Sequence, residues 1–144
     1  MNALQRMEHW GEAHHPPYLD IVRVALGVLL IYKGVAFANN SSTLSALVER
    51  QIPFSGFLLL LLTHYIIFAH IAGGFLIAVG LLTRLSCAVQ IPILLGALFF
   101  VNWDVTEHFS GIFLTLVVLA LLALFFIVGS GPWSLERAFE NDDR

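Results

Sequence analysis

Six polar side chains interrupt otherwise apolar stretches and are the residues best placed to do chemistry: Arg23, Lys33, His64, His70, Arg84 and Gln90. Polar groups held in hydrocarbon are costly, so they turn toward a bundle interior or a wet cavity and mark function. Such a set is open to charge pairing, proton exchange or metal ligation. Arg23 follows Asp20 by three residues, which puts both on one helix face. It either pairs there while snorkelling to the surface or points into an interior site. Lys33 faces the same alternative, and its depth, roughly 8 Å from the outer end of its segment, matches that of His64 at roughly 10 Å. Arg84, in a tight connection, reads as a positive anchor or as a site group.

Metal ligation is the weakest of the three. A two-histidine clamp on one helix wants positions i and i+4, whereas His64 and His70 are six apart and fall on different faces. A haem would need facing histidines at one depth, and His108 at the mouth of the last apolar segment does not match the deeper His70. Asp104, Glu107 and His108 read as a polar turn with acids at a helix start. No metal site is expected. Cys87, the single cysteine, cannot form a disulfide within the chain and has no CxxC neighbour.

The elements that must carry these residues follow from composition. Of 144 residues, 58% are hydrophobic and 12% charged, against roughly a quarter charged in a soluble domain. That excludes an ordinary soluble globule and a disordered tail. A spanning helix takes roughly 20 apolar residues, so four spans use about 80 positions and six would not fit. Continuous apolarity places them at Leu19–Ala38, Phe57–Leu82, Leu85–Val101 and Phe109–Val128. An all-α, integral membrane four-helix bundle in one domain, residues 1–144, is therefore predicted, and the bilayer is its first partner. The loop 39–56 has room for a short helix around Thr43–Gln51, and only Thr83 and Arg84 separate the second and third spans. Ala36-Phe37-Ala38 has the small-x-small pattern of a signal-peptidase site, but the polar lead Met1–Tyr18 and Lys33 late in the run favour a retained helix.

Arg6, Arg23, Arg84, Arg137 and Arg144 fall on one side, Lys33 and Arg50 toward the other, so both termini are expected in the cytoplasm. Leu4, Met7 and Trp10 at helical spacing before Pro16-Pro17 predict a short interfacial helix. Ser130-Gly131-Pro132-Trp133 resembles a helix start with proline in its first turn. A net charge of -3 without a basic stripe argues against nucleic acid. Gly27 and Gly34, and Ala69, Gly73 and Gly80, each lie within about 40° of one line and predict close packing of spans one and two. Pro92 should bend span three. Span four carries almost no polar residue, so the polar work belongs to the first three.

Three motifs carry a family likeness. Arg23-Val24-Ala25-Leu26-Gly27 with Lys33-Gly34, the run Gly73-Gly74-Phe75-Leu76 to Gly80-Leu81-Leu82-Thr83-Arg84, and the tail Gly129-Ser130-Gly131-Pro132-Trp133-Ser134-Leu135-Glu136 together resemble the DoxX family of small four-helix membrane proteins. The resemblance implies a multi-pass inner-membrane protein, with family members linked to quinone-coupled thiosulfate oxidation and to thiol and oxidative-stress systems. It also implies a redox-associated small subunit in which Arg23, Lys33, His64, His70, Arg84 and Gln90 line a polar cleft, with quinone as its cofactor. Lacking a CxxC, a dinucleotide-binding loop and a soluble catalytic domain, the chain is not expected to oxidise a substrate unaided. A non-catalytic accessory subunit, docking another membrane protein or a second copy through its apolar fourth helix, is the alternative. A small-solute transporter would show inverted repeats, and none stands out.

Overall fold

The computed structural model describes residues 2–13, 16–51, 56–101, 109–131 and 134–142. All regular structure among them is helical: α1 Ala3–Ala13, α2 Tyr18–Asn39, α3 Ser41–Gln51, α4 Gly56–Val79, α5 Thr83–Gly96 continued by a π-helical turn Ala97–Val101, α6 Phe109–Val128 and α7 Leu135–Asp142. α2 and α4 are each long and apolar enough to cross a membrane. The apolar stretches Thr83–Phe99 and Ile112–Val128 are shorter. The mouth residues Asp104, Glu107 and His108 lie outside the described residues.

The end of α4 and the start of α7 rest on identifiable local signals. Gly80, at φ +73°, closes α4 in a Schellman turn: its N–H reaches the Ile77 carbonyl and the Leu81 N–H reaches that of Leu76. Leu82, also left-handed at φ +49°, then opens α5. The connection is thus Gly80–Leu82, and Thr83 and Arg84, expected as the linker, form the first turn of α5. At the other terminus α7 starts at Leu135 instead of at Pro132, because Ser134 is the residue that caps it: its Oγ accepts from the Arg137 N–H. The proline signal pointed three residues too early.

α2 and α4 run antiparallel in the most extensive contact of the molecule. Gly27 meets the Gly74 carbonyl and Ala78, and Gly34 meets His70 and Ile71. The glycine stripe of α2 therefore faces α4, as expected. The matching surface of α4 differs: Gly74 and Ala78 meet α2, while Ala69 and Gly73 face Gln90 of α5. Adjacent positions on a helix point about 100° apart, so Gly73 and Gly74 thin α4 toward two neighbours at once. α5 continues through Pro92, which is exposed and has no N–H to give the Ala88 carbonyl, and passes after Gly96 into the π turn.

One apolar core joins the four apolar helices: Leu26 and Leu30 of α2, Ile77 of α4, Cys87 and Leu94 of α5, and Val118, Leu122 and Phe125 of α6. Large apolar side chains also cover the outside, Tyr32, Phe57, Phe68, Phe75 and Phe113 among them. That inverts the usual soluble arrangement and suits a lipid-facing surface.

Candidate functional site

The polar residues sort into two groups along the helices. At one end, Arg23 of α2 is 1% exposed. Its Nη1 donates to Asp20 Oδ1 at 2.5 Å and to the Ser130 main-chain carbonyl. An unpaired buried guanidinium would cost several kcal/mol, on the order of the penalty for any buried ion. Asp20, one turn earlier and 2% exposed, offsets that charge. Arg84 of α5 donates to the Ile127 carbonyl at 3.2 Å and lies over Gly129. The last carbonyls of a helix have no partner within it. Two arginines from other helices supply donors to the chain at the end of α6.

The tail locks onto the same place. Glu136, in the first turn of α7, donates its N–H to the Gly80 carbonyl at 3.2 Å and accepts from the Ser130 hydroxyl. A Cβ at Gly80 would lie 2.5 Å from Ser134 Cβ and 3.1 Å from Arg23 Cζ, so only glycine admits both neighbours there. α1 closes the group from outside, with Gly11 against the Val128 carbonyl. The three motifs singled out in the sequence, around Arg23, around Gly80 to Arg84 and around Ser130 to Glu136, thus converge at this one end. Ser130 and Glu136 were not recognised as partners from sequence. The tail read as a charged end, and the signal lay only in its pairing with Gly80.

The second group lies mid-way along α4. His70 is buried. Its Nδ1–H donates to the Ile66 carbonyl at 2.9 Å, and its ring meets Phe37 edge to face, centroids 5.3 Å apart at 83°. With Nδ1 so used, the neutral ring presents Nε2 as an acceptor. Gln90 of α5 is fully buried, donates from Nε2 to the Ala69 carbonyl and rests on Gly73, where a Cβ would come within 2.6 Å. Its Oε1 has no hydrogen-bond partner among the described residues. Lys33, half-buried, precedes Gly34, which packs on His70. Lys33, His70 and Gln90 therefore occupy one level on three helices.

This places Lys33 opposite His70, where its depth was expected to match that of His64. The glycine register sets this: Gly34 against Ile71 leaves His64 seven residues, about 10 Å, further toward the N-terminal end of α4. His64 is exposed, its Nδ1–H on the Leu60 carbonyl at 2.8 Å. It belongs to neither group, and neighbouring Thr63 bonds instead to Ser45 of α3 at 3.1 Å. The six expected site residues thus divide as Arg23 and Arg84 at one end, Lys33, His70 and Gln90 in the middle, and His64 apart. Among the described residues no cluster of three or more His, Cys, Asp or Glu side chains is placed to hold a metal.

No curated protein and no solved structure matches the chain. The sequence model of the DoxX family matches residues 18–103, from the first residue of α2 to just past the π turn, more than half of the chain's 144 residues. That span holds the first two motifs and leaves out the tail. The chain belongs to the DoxX family, and its apolar helices are those of a membrane protein.

Proposed function

We propose that this chain is a multi-pass inner-membrane protein, a bundle of four spanning helices with both termini in the cytoplasm, that serves as a small redox-associated subunit and binds a quinone at its middle polar level. The topology draws support from the ends of the chain: α1, the α4–α5 turn and α7 gather at one end, where most of the arginines lie, while α3 lies against the opposite end of α4. Cation bias then makes the shared end cytoplasmic.

The observation that carries the ligand reading is the buried Oε1 of Gln90, without a partner among the described residues, at the level of His70 and Lys33. An orphaned buried acceptor costs about 1–3 kcal/mol, so a group that supplies a donor there is favoured. Gln90 Oε1 and His70 Nε2 both accept, which suits the two hydroxyls of a reduced quinone, and the Lys33 ammonium donates, which suits a carbonyl of the oxidised form. Quinone chemistry exchanges electrons and protons together, and these side chains hold and orient the oxygen atoms. Arg23 and Arg84 serve in this reading as the frame that fixes the helices.

The test is quinone content of gently solubilised protein, by extraction and optical spectrum, for the wild type, Gln90→Leu and His70→Ala. The wild type should carry quinone and both variants should lose it. Absence of quinone in the wild type, together with unchanged quinone-dependent electron flow in cells carrying the variants, would overturn the reading and favour an accessory role.

A further inference from the structure

The buried face of α5 carries more polar groups than the two clusters use. Thr83, Ser86 and Gln90 are 0%, 4% and 0% exposed. At 100° per residue they fall within a 60° arc, and Thr83 and Gln90 are separated along the axis by about 10 Å. Thr83 Oγ1 has no hydrogen-bond partner among the described residues, and neither has Gln90 Oε1. A third such atom, Asp20 Oδ2, lies at the end where Thr83 sits: Asp20 pairs with Arg23, Arg23 abuts Gly80, and Gly80 is three residues before Thr83. Orphaned buried oxygens are rare in native proteins, and internal water satisfies such groups, each molecule making about three hydrogen bonds.

We propose that Thr83, Ser86 and Gln90 line a file of bound water running along the buried face of α5 from the Asp20 carboxylate at the bundle end to the middle polar level. The occupant is water, because each lining group is a small uncharged hydroxyl or amide and each orphan is an acceptor that an O–H satisfies. The file gives His70 and Gln90 aqueous contact with one side of the bilayer only, since the described polar face of α5 ends at Gln90 and Leu94 continues it. The file shares the Gln90 Oε1 acceptor with the quinone reading, but Thr83 and Asp20 carry it independently and its test reads water at α5, not quinone content, so the two fail distinguishably.

Cys87 provides a native reporter. It is the only cysteine, 0% exposed, and sits on α5 between Ser86 and Gln90. Its S–H stretch is therefore a single infrared band that moves on conversion to S–D only when water reaches the sulfur. Full-length protein in lipid is transferred to deuterium oxide, and the band is followed alongside the backbone amides of α4. The wild type should convert while those amides remain protected. The Thr83→Val/Gln90→Leu variant should slow conversion at least about tenfold, toward the amide rate. Thr83→Val alone, nearly isosteric and able to fold, should slow it in part. A wild-type S–H band that lasts as long as the protected amides, or equal rates in all three proteins, would overturn the proposal.

Discussion

The guanidinium of Arg23 donates to the main-chain carbonyl of Ser130, 107 positions later in the chain, while its ion pair with Asp20 keeps both charges neutralised in the interior. One side chain thus ties the start of α2 to the exit of α6. Removing it leaves the Asp20 carboxylate buried and unpaired. Arg23→Ala should therefore destabilise the protein by about 3–5 kcal/mol, and Asp20→Leu/Arg23→Met should recover most of that loss because no ion remains. Equilibrium unfolding in mild detergent measures both, and equal losses in the single and double variants would contradict a buried pair.

Gly80 meets two demands that no other residue satisfies together: a left-handed backbone and the close approach of Ser134 and Arg23. Gly80→Ala should cost about 1–2 kcal/mol for the backbone alone, with a further 1–3 kcal/mol on the order expected for overpacking. The damage should be local first. With Ser134 displaced, the Glu136 N–H loses the Gly80 carbonyl, so the Glu136 amide should exchange faster and α7 should become open to protease before α2 or α4 unfolds. Unchanged protection at Glu136 would mean that α7 is held by something other than this turn.

How much of this could be read in advance depends on what each feature rests on. The helices were legible because a continuous apolar run of spanning length has few other solutions, and α6 begins and ends where apolarity does, at Phe109 and Val128. The Asp20–Arg23 pair was legible because three-residue spacing is a property of one helix. Contacts between helices were not, because they depend on rotation and register. Whether Gly73 or Gly74 faces α2 is a matter of one residue, and it decides that Lys33 meets the level of His70 and not that of His64. The tail was misjudged for the same reason: Pro132 suggested a start, while the cap at Ser134 and the bond from Glu136 to Gly80 exist only once α7 has docked.

The two helical glycines Gly27 and Gly96 should respond in opposite ways to the same change. A Cβ on Gly27 would lie 2.5 Å from the Gly74 carbonyl oxygen and 2.7 Å from Ala78 Cβ, so α2 and α4 must separate to admit it. Gly27→Ala should lose about 1–3 kcal/mol. Around Gly96 no atom lies within 4 Å of such a Cβ, and Gly96→Ala should gain about 0.5–1 kcal/mol from reduced backbone freedom. Thermal unfolding of the two variants in the same detergent compares them directly, and similar shifts would mean that the α2–α4 approach is not close-packed.

Gln90 separates ligand chemistry from stability, because its two ends behave differently. The Nε2 donor reaches the Ala69 carbonyl, a helical backbone group, whereas Oε1 has no protein partner among the described residues. Gln90→Leu removes a hydrogen bond worth about 0.5–1.5 kcal/mol and also removes an orphaned acceptor that costs about 1–3 kcal/mol, so the two effects nearly cancel. The variant should unfold within about 1 kcal/mol of the wild type while losing retained quinone. Gln90→Glu keeps the shape but adds a charge at the middle level, and should destabilise by several kcal/mol, on the order of an unpaired buried ion. If Gln90→Leu were as damaging as Gln90→Glu, Oε1 would have a protein partner already, and the middle level would have no free acceptor to offer.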